Sequence, residues 1–422
     1  MSITGIRGFN DILPEECAVW RRIEDEAVRV FTAFGFSEIR LPVVEKTELF
    51  LRSIGETTDI VEKQMYTFSD RHGESLALRP EGTAPLVRAY IEKRLYAASP
   101  ATRLFYMGPM FRYERPQKGR YRQFHQIGAE VLGTESPMAD AEALKMLETL
   151  FVSLGISGVE IEINSLGCPR CRPAYKEELK GFLADKTERL CDNCKGRIGK
   201  NPLRALDCKT PGCLTATHGA PAVSDFLCDA CGGHFKGLRS ALDMLGVAAK
   251  VNPRMVRGLD YYTRTTFEVT SGAGTLGAQN AIAAGGRYDG LVEELGGPAT
   301  PCFGFAIGME RLALLVDRNR VEKRPLVLFL AMGDGAGEKG VEVAARLRDA
   351  GLRVVADYAE GSLKSRMKRA DRMGAGYVII LGEDEIREGV LTVKDMTTGA
   401  QEKIAQDKIP ALIKGRSQGA QA

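Results

Sequence analysis

Apolar residues recur along the first half of the chain at two different spacings, and each spacing predicts a different element. Between residues 14 and 34 the apolar positions follow a helical period, and Gly35 supplies the stop. Helices are also predicted over 83–95 and 138–154. Tyr66 and Phe68 instead alternate with polar residues before a polar turn, which predicts a hairpin.

Other alternating segments predict further strands. Ile39, Leu41 and Val43 alternate, although Pro42 marks an edge or an irregularity there. Residues 159–163 have the same period. Strands that follow one another through hairpins predict a mainly antiparallel sheet with flanking helices, which is an α+β fold.

The pattern changes after Lys323-Arg324-Pro325, which we interpret as a linker. Apolar strands then alternate with helical segments, as in a small, mostly parallel α/β domain. The sequence therefore predicts one domain over 1–324, a second over 325–415 and a disordered polar tail over 416–422.

Composition narrows the class of protein without naming a function. Apolar residues make up 44% and charged residues 27% of the 422 residues, and the net charge is +3. These values are ordinary for a globular protein, so any contact with nucleic acid has to come from local patches. No apolar run reaches the ~20 residues that span a bilayer, and the N-terminus lacks the apolar core of a secretory signal. We therefore expect a cytoplasmic protein whose cysteines are thiols or metal ligands.

The segment 111–126 carries the clearest chemical signal. It is predicted to form two strands joined by a loop with five cations, Arg112, Arg115, Lys118, Arg120 and Arg122. Guanidinium groups match phosphate oxygens, and the ring of Phe124 offers a flat surface for a purine. The segment suits a nucleoside triphosphate held by side chains. An exposed, charged hairpin is the alternative.

The wording of this segment resembles motif 2 of the class II aminoacyl-tRNA synthetases, in its histidyl-tRNA synthetase form. Residues 35–68 look like motif 1 and residues 302–312 look like motif 3. The peptides 257–263 and 285–290, with Leu78–Thr83, resemble segments peculiar to the histidyl-tRNA synthetase family. The resemblance covers nearly all of the chain outside a cysteine-rich insert. It implies a class II antiparallel sheet, the insert at about 168–240 and a C-terminal anticodon-binding α/β domain.

The resemblance also implies the histidine-binding residues. It assigns the substrate ammonium to Glu81 and Thr83, with Gln126 nearby, and the two imidazole nitrogens to Glu130 and Tyr262. Tyr261 and Tyr288 complete the expected histidine site. Paired polar contacts of this kind reject isosteres far better than an apolar slot does. Taken alone, Glu130 would be interpreted as a surface strand residue.

For ATP, the resemblance implies a cationic site without a side-chain nucleophile. The substrate carboxylate is ionised near neutral pH and attacks the α-phosphorus, so catalysis is positioning and charge stabilisation. Arg112 and Arg257 are the expected catalytic residues at the α-phosphate, and magnesium is expected on the outer phosphates. The remaining expected ATP contacts are the adenine neighbours Glu114 and Phe124 and the phosphate-binding Arg120 and Arg311. A core salt bridge is the alternative for Arg257.

The insert departs from the best-known members of this family. It contains eight of the ten cysteines within 64 residues, in the pairs Cys168/Cys171, Cys191/Cys194, Cys208/Cys213 and Cys228/Cys231. Four thiolates are a preferred structural site for zinc. The sequence leaves open two four-cysteine sites, one such site with four spare thiols, or buried cysteines without metal. Six basic residues between 189 and 209 are either a contact for tRNA or a solvated surface.

The resemblance implies ATP-dependent joining of histidine to tRNA by a homodimer, with motif 1 at the two-fold interface. The competing hypothesis is a non-catalytic, histidine-sensing paralogue, the regulatory subunit of ATP phosphoribosyltransferase. That paralogue generally lacks the C-terminal domain and degrades motif 2 and the 257–263 peptide, all of which this chain keeps. The helix predicted over 362–373 carries five cations, Lys364, Arg366, Lys368, Arg369 and Arg372, and is expected to contact RNA phosphates.

Overall fold

The structure is a computed structural model that describes residues 3–55, 58, 60–199, 201–256, 261–276, 280–318 and 325–419. The chain divides into two compact units, Met1–Val321 and Glu322–Ala422. Among the helices of the described residues, none has the length and apolar character needed to cross a membrane.

The first unit contains eleven strands and ten α-helices within its described residues. The strands are β1 Ser37–Glu38, β2 Val44–Lys46, β3 Tyr66–Ser69, β4 Ser75–Leu78, β5 Thr102–Phe111, β6 Gln123–Leu132, β7 Val159–Ser165, β8 Ala249–Val251, β9 Thr263–Ser271, β10 Ala281–Arg287 and β11 Cys302–Gly308. The helices are α1 Pro14–Ala33, α2 Thr47–Ile54, α3 Thr83–Glu92, α4 Pro137–Ser153, α5 Arg172–Ala184, α6 Asp192–Ile198, α7 Pro211–Ala216, α8 Asp229–Met244, α9 Leu291–Glu294 and α10 Met309–Ala313.

Eight of these strands form one sheet, in the order β1-β5-β6-β11-β10-β9-β7-β8. Its two edge strands pair in parallel with their neighbours, and the inner pairs are antiparallel. A smaller sheet has the order β2-β4-β3. The predicted α+β fold with a mainly antiparallel sheet is therefore confirmed.

Side-chain alternation gives the large sheet two different faces. On β6, Ile127, Ala129 and Val131 are buried in a core that also contains apolar residues of α1 and α4. Because successive side chains of a strand point to opposite faces, Gln126 and Glu130 belong to the other face. The apolar layer therefore lies on one face, and polar residues of β6 are directed to the opposite one.

The strand predicted over Ile39–Val43 is wrong. The β1 strand ends at Glu38, and β2 begins only at Val44. The guanidinium of Arg79 donates to the carbonyl oxygens of Leu41 (2.9 Å) and Pro42 (3.2 Å). Since Pro42 has no N–H to give to a ladder, a side chain satisfies backbone acceptors that a neighbouring strand would otherwise bind.

The second unit is a five-stranded sheet in the order β13-β12-β14-β15-β16, with β12 parallel to both neighbours and the last two pairs antiparallel. Its strands are β12 Leu326–Ala331, β13 Arg353–Asp357, β14 Ala375–Leu381, β15 Val390–Asp395 and β16 Gln401–Ala405. Its helices are α11 Ala336–Asp349, α12 Leu363–Arg372, α13 Glu383–Glu388 and α14 Ile409–Gly419. The predicted α/β alternation is present up to α13, and the antiparallel hairpin β15–β16 follows it.

Two details of the second unit differ from the sequence-based expectations. Residues 416–419, predicted to be disordered, continue α14, whose residue Ile413 is buried in the core of the unit. The helical spacing of Leu363, Met367 and Ala370 predicts that all three lie on the inner face of α12, but Leu363 is 42% exposed. Ser362 instead caps this helix, since its side chain accepts a hydrogen bond from the N–H of Ser365.

Candidate active site

A cavity of about 370 Å3 lies in the first unit and collects residues that are distant in the sequence. Eleven of the thirteen residues predicted for histidine and ATP line it: Glu81, Thr83, Arg112, Glu114, Arg120, Phe124, Gln126, Tyr261, Tyr262, Tyr288 and Arg311. Of the other two, Glu130 lies directly behind the wall, and Arg257 is outside the described residues. The segments singled out from the sequence therefore meet at one site.

Glu130 is buried between two hydroxyl donors. Thr83 Oγ1 donates to its Oε1 over 2.8 Å, and the hydroxyl of Tyr288 donates to its Oε2 over 2.6 Å. Burial raises the pKa of this carboxyl to about 8, although both hydrogen bonds oppose the shift. Glu130 is thus an interior acceptor behind the cavity wall, and the interpretation as a surface strand residue is wrong.

Gly304 makes room for that carboxylate. A Cβ atom at this position would lie 1.4 Å from Oε2 of Glu130, a distance at which the two atoms would overlap. Gly304 and Glu130 are paired across the antiparallel strands β11 and β6. The resemblance to motif 3 implies that Gly304 lets the backbone approach the nucleotide closely, and packing against Glu130 gives a second reason for a glycine here.

The second acidic residue of the site, Glu81, is bound to the start of α3. Its Oε2 accepts from the backbone N–H of Thr83 (2.7 Å) and its Oε1 from that of Ala84 (2.9 Å). Burial raises the pKa of Glu81, while these backbone donors act in the opposite direction. Nearby, Oε1 of Gln126 is buried without a hydrogen-bond partner among the described residues. The wall thus combines a carboxylate with an unused acceptor, which suits a ligand ammonium.

Three tyrosines form the apolar side of this subsite. The ring of Tyr261 lies 4.8 Å from that of Tyr262 and 5.7 Å from that of Tyr288, centroid to centroid. Tyr106 also lines the cavity, and no role was predicted for it from the sequence. The alternation of β5, which places it opposite the core residue Phe105, is the signal that could have identified it.

The other part of the cavity is cationic. Arg112 donates from Nε to the carbonyl oxygen of Pro80 (2.8 Å), and its guanidinium lies 5.2 Å from the ring centre of Phe124. Arg311 donates to the carbonyl oxygens of Gly119 (3.1 Å) and Ala281 (2.5 Å). These backbone contacts hold both guanidinium groups at the cavity wall.

The arginines of this part destabilise one another's charge. Burial and the neighbouring Arg112 lower the pKa of Arg120. Burial and Arg120 likewise lower the pKa of Arg311. Like charges held close together favour binding of an anion, since the anion removes their repulsion. Arg120 is also paired with Glu114, so both predicted ATP residues interact with each other here.

Two further carboxylates line the cavity, and neither was predicted from the sequence. Glu268 belongs to β9 and Glu310 to α10. Oε1 of Glu310 accepts from the backbone N–H of His125 (2.8 Å) and lies 3.1 Å from its Nδ1. The ring of His125 packs edge-on against Trp20, which agrees with leaving this histidine out of the predicted chemistry.

The eight cysteines of the insert form two groups of four. The outer cluster is Cys168, Cys171, Cys228 and Cys231, and the inner cluster is Cys191, Cys194, Cys208 and Cys213. Within each cluster all four sulfur atoms lie within 4.8 Å of one another. The sequence could not assign the pairs. The structure joins the first pair to the fourth and the second to the third.

Two thiols in each cluster have a lowered pKa, namely Cys168 and Cys228 in the outer cluster and Cys191 and Cys208 in the inner one. Burial opposes ionisation of Cys168, but the backbone N–H groups of Cys171 and Arg170 lower its pKa to about 6. The backbone N–H of Cys194 lowers the pKa of Cys191 to about 6. Because metals bind the thiolate form, these donor sets are chemically suited to zinc.

Known proteins resemble this chain along its whole length. Residues 8–189 and 214–312 match the histidyl-tRNA synthetase family, and residues 326–416 match the anticodon binding domain family. A histidine–tRNA ligase of Trichlorobacter lovleyi is 56% identical over 99% of this chain and 100% of its own length. One from Syntrophotalea carbinolica is 53% identical over the same shares. The crystal structure of apo S. aureus histidyl-tRNA synthetase covers 98% of this chain and 100% of its own, with a TM-score of 0.81 and 37% identity.

Proposed function

The chain belongs to the histidyl-tRNA synthetase family, and on that premise we propose how its cavity performs the reaction. The protein is an enzyme that activates histidine with ATP and transfers it to tRNA, giving histidyl-tRNA, AMP and pyrophosphate. The observation that carries the assignment of the site is the meeting of eleven predicted residues in one cavity. The non-catalytic paralogue is not favoured, because the full-length relatives at 53–56% identity are histidine–tRNA ligases.

Histidine would bind at the end of the cavity formed by the tyrosines. Its ammonium would lie against Glu81, Thr83 and the free acceptor of Gln126. Its imidazole would be directed to Glu130 and Tyr262, with Tyr261 and Tyr288 around the ring. The burial of Glu130 and its two hydroxyl donors support this assignment, since a preorganised buried acceptor discriminates strongly against side chains that lack an N–H.

ATP would occupy the cationic end. Arg112 would contact both the substrate carboxylate and the α-phosphate, and Arg120 and Arg311 would contact the outer phosphates. The mutual repulsion of these groups supports the proposal, because a polyphosphate would relieve it. Phe124 would stack on adenine, while Glu114 would have to leave Arg120 to approach the adenine amino group.

The chemistry needs no side-chain base. The histidine carboxylate attacks the α-phosphorus, the bond to the bridging oxygen breaks and pyrophosphate leaves with its electron pair. Residues of the cavity would hold the two substrates in line and stabilise charge on the phosphoryl oxygens. Arg257, by its resemblance to the family peptide, would be the second donor to the α-phosphate.

Magnesium, expected on the outer phosphates, would find suitable ligands here. Glu268 and Glu310 line the cavity beside Arg311, and one oxygen of Glu310 is already bound by His125. Carboxylate oxygens are the ligands that Mg²⁺ prefers. When bound, the ion would neutralise charge on the leaving pyrophosphate, while the two glutamates would hold it.

The second unit, about residues 325–415, would bind the anticodon of tRNA(His). Its match to the anticodon binding domain family supports this role. Within α12, Arg366 donates to the carbonyl of Ala331, and Arg369 pairs with Asp357 at 2.9 Å. Lys364, Lys368 and Arg372 are exposed, so these three would supply the phosphate contacts of this helix.

The assembly, location and metal content belong to the same proposal. The motif-1 segment, residues 35–68, would form the two-fold interface of a homodimer in the cytoplasm. The insert, about residues 168–240, would carry one structural zinc ion on each cysteine cluster, because four close sulfurs match the donor set of such sites.

ATP–pyrophosphate exchange tests the proposal. Purified protein is assayed without tRNA against each of the amino acids, and histidine should give the fastest exchange. A matched control is the Arg112→Ala protein, which should lose exchange while keeping its fold. If another amino acid drives exchange better than histidine, the assignment of the pocket fails.

A further inference from the structure

The outer cysteine cluster joins the two ends of the insert. Cys168 follows the last residue of β7 by three positions, and Cys228 immediately precedes α8. A metal ion on this cluster would therefore tie a strand of the large sheet to the first turn of a helix that packs on α4. The inner cluster, in contrast, joins residues from the interior of the insert, between Cys191 and Cys213.

Backbone hydrogen bonds connect the outer cluster to the histidine-binding peptide. The N–H of Leu166 donates to the carbonyl oxygen of Arg264 (2.7 Å), and the N–H of Arg264 donates to that of Gly167 (2.8 Å). Arg264 has a left-handed backbone, with φ at 45°. It follows Tyr262 by two residues, so a change at Cys168 acts on the cavity wall through one short strand segment.

Gly167 fixes the geometry of this connection. Its φ is +65°, and a Cβ atom would lie 2.7 Å from the Cβ of Cys171. The chain therefore passes close to the cluster in a conformation that favours glycine.

The side chain of Arg264 then spans two segments that form the histidine pocket. Its Nε lies 3.8 Å from Oδ2 of Asp289, and its Nη1 lies 3.3 Å from Glu135. The N–H of Asp289 donates to Oγ1 of Thr263 (3.3 Å). Because Asp289 follows Tyr288, this arginine holds the peptides of Tyr262 and Tyr288 against each other.

A second route runs through α8. His234 lies one turn after Cys231, and its buried ring packs beside Asp140, with Nε2 3.7 Å from Oδ2, which is too long for a hydrogen bond. Asp140 accepts from the fully buried Arg287 over 3.0 Å. Since Arg287 immediately precedes Tyr288, the second half of the outer cluster is also connected to the residue that binds Glu130.

The inner cluster has local contacts. The N–H of Cys191 donates to Sγ of Cys213 (3.2 Å), and the thiol of Cys208 contacts the hydroxyl of Thr210 (3.4 Å). These partners belong to the insert. The carbonyl of Cys213 also accepts from Oγ1 of Thr217, which in turn accepts from Arg254 (2.7 Å), so this link leaves the insert at a residue that precedes the 257–263 peptide. The two clusters therefore provide a matched comparison within one small region.

We propose that a zinc ion on the outer cluster positions the histidine pocket, whereas the ion on the inner cluster stabilises the insert and its contact with Arg254. The inference rests on the proposed function, because it assumes that Tyr262, Tyr288 and Glu130 bind histidine. Loss of the outer metal should weaken histidine binding selectively. The proposed ATP-binding residues Arg120 and Phe124 of the motif-2 segment and Arg311 of α10 lie outside both routes.

The test compares Cys231→Ser with Cys194→Ser. Each changes the second, buried cysteine of a C-x-x-C pair, so the substitutions are equivalent in chemistry. Zinc per chain is measured by elemental analysis, and the KM values for histidine and ATP are measured in pyrophosphate exchange. We expect two zinc ions in the unaltered protein and one in each variant. The histidine KM should rise about tenfold in Cys231→Ser alone, with the ATP KM unchanged.

Three results would overturn the inference: equal histidine KM values in the two variants, histidine and ATP KM values that rise together, or an unaltered protein without zinc. If Cys231→Ser does not fold, Arg264→Gln is the deciding variant. It keeps all eight thiols, so it tests the connection through Arg264 with both metal sites intact. It should retain two zinc ions and still show the raised histidine KM, and an unchanged KM contradicts the route. Failure of the proposed function would look different, because the unaltered protein would then show no histidine-dependent exchange.

Discussion

The hydroxyl of Tyr288 donates to Oε2 of Glu130 over 2.6 Å, and this pair lies at the base of the histidine pocket. Burial raises the pKa of Glu130 to about 8, so the carboxyl holds a proton over much of the neutral range. Free histidine loses its imidazole proton near pH ~6.5. Between the pKa of the free imidazole and that of Glu130, histidine binds with a neutral ring and Glu130 carries one proton, so the complex forms with a single proton shared between them.

The first prediction is a bell-shaped pH dependence of kcat/KM for histidine. Activity should fall below pH ~6.5, where the imidazole is charged before it binds, and above about pH 8, where Glu130 has lost its proton. Glu130→Gln should remove the upper limb, because an amide does not titrate. It should also raise the histidine KM about tenfold, because the proton shared between Glu130 and the imidazole makes their hydrogen bond charge-assisted, whereas an amide forms only a neutral one. An upper limb that persists in this variant would assign the pKa to another group.

The second prediction compares two glycines of β11. In Gly304→Ala the new methyl group would overlap Glu130, whereas Gly308→Ala meets no atom closer than 4.0 Å. Gly304→Ala should therefore weaken histidine binding by at least about tenfold, on the scale of overpacking costs. Gly308→Ala should leave histidine binding unchanged. Calorimetric titration of both proteins with histidine measures the difference, and equal affinities would contradict the geometry.

The third prediction concerns Arg257, whose catalytic role is inferred only from the resemblance to the family. Arg257→Ala should lower the rate of adenylation by roughly 10²–10³-fold, the loss expected for one donor to a transition-state oxyanion. The KM for ATP should change much less, because the benefit belongs to the transition state. The control is Arg254→Ala, since Arg254 donates to Thr217 in the insert. Near-normal velocity of Arg257→Ala at saturation would make that arginine structural.

The fourth prediction tests the exposed cations of α12. The double variant Lys364→Glu/Lys368→Glu should weaken tRNA binding and reduce the slope of log K against log salt, because each phosphate contact contributes about one unit. Histidine-dependent exchange should be unaffected. The double variant Lys339→Glu/Lys403→Glu, at two exposed lysines outside α12 that pair with Glu342 and Glu388, is the control of matched charge. Normal charging of tRNA at moderate salt by the double variant would remove α12 from the interface.

The fifth prediction is a dimer in solution. Light scattering at micromolar concentration should give a mass twice that of the 46.1 kDa chain. The basis is the resemblance of residues 35–68 to motif 1. A mass equal to one chain would contradict this proposal and leave the cavity assignments unaffected.

Local periodicity was enough to predict α1, α3, α4 and α12 of this chain, but it did not indicate the helices α5–α8 of the insert. The helix predicted over 14–34 is α1, because its apolar stripe and following Gly35 are local signals. Residues 39–43 failed for a nonlocal reason. The guanidinium of Arg79, 37 or more residues away, binds the carbonyls that a strand would have used.

The same holds for the site: sequence motifs identify some of its residues, but contacts between residues far apart in the sequence do not follow from them. Motif wording identified Arg112 and Tyr288, but it did not reveal that Glu130 lies behind the wall or that Gly304 makes its space. Glu268 and Glu310 were missed because a carboxylate in a strand or a first helical turn resembles any solvated residue. The pairing of the cysteines depends on how the insert folds back on itself, which spacing cannot show.

The nested cysteine pairing means that the fold selects the metal ligands. A wrong set made of the first four thiols would close a loop of 19 residues between Cys171 and Cys191, whereas the inner set closes 13 between Cys194 and Cys208. Loop-closure entropy separates these by only ~0.3 kcal/mol. The N–H of Cys228, bound to Sγ of Cys171 at 3.1 Å, instead favours the native set. In an unfolded chain, the two sets of thiols would bind the metal with nearly equal free energies. In the folded insert, only the native set has its sulfur atoms close together.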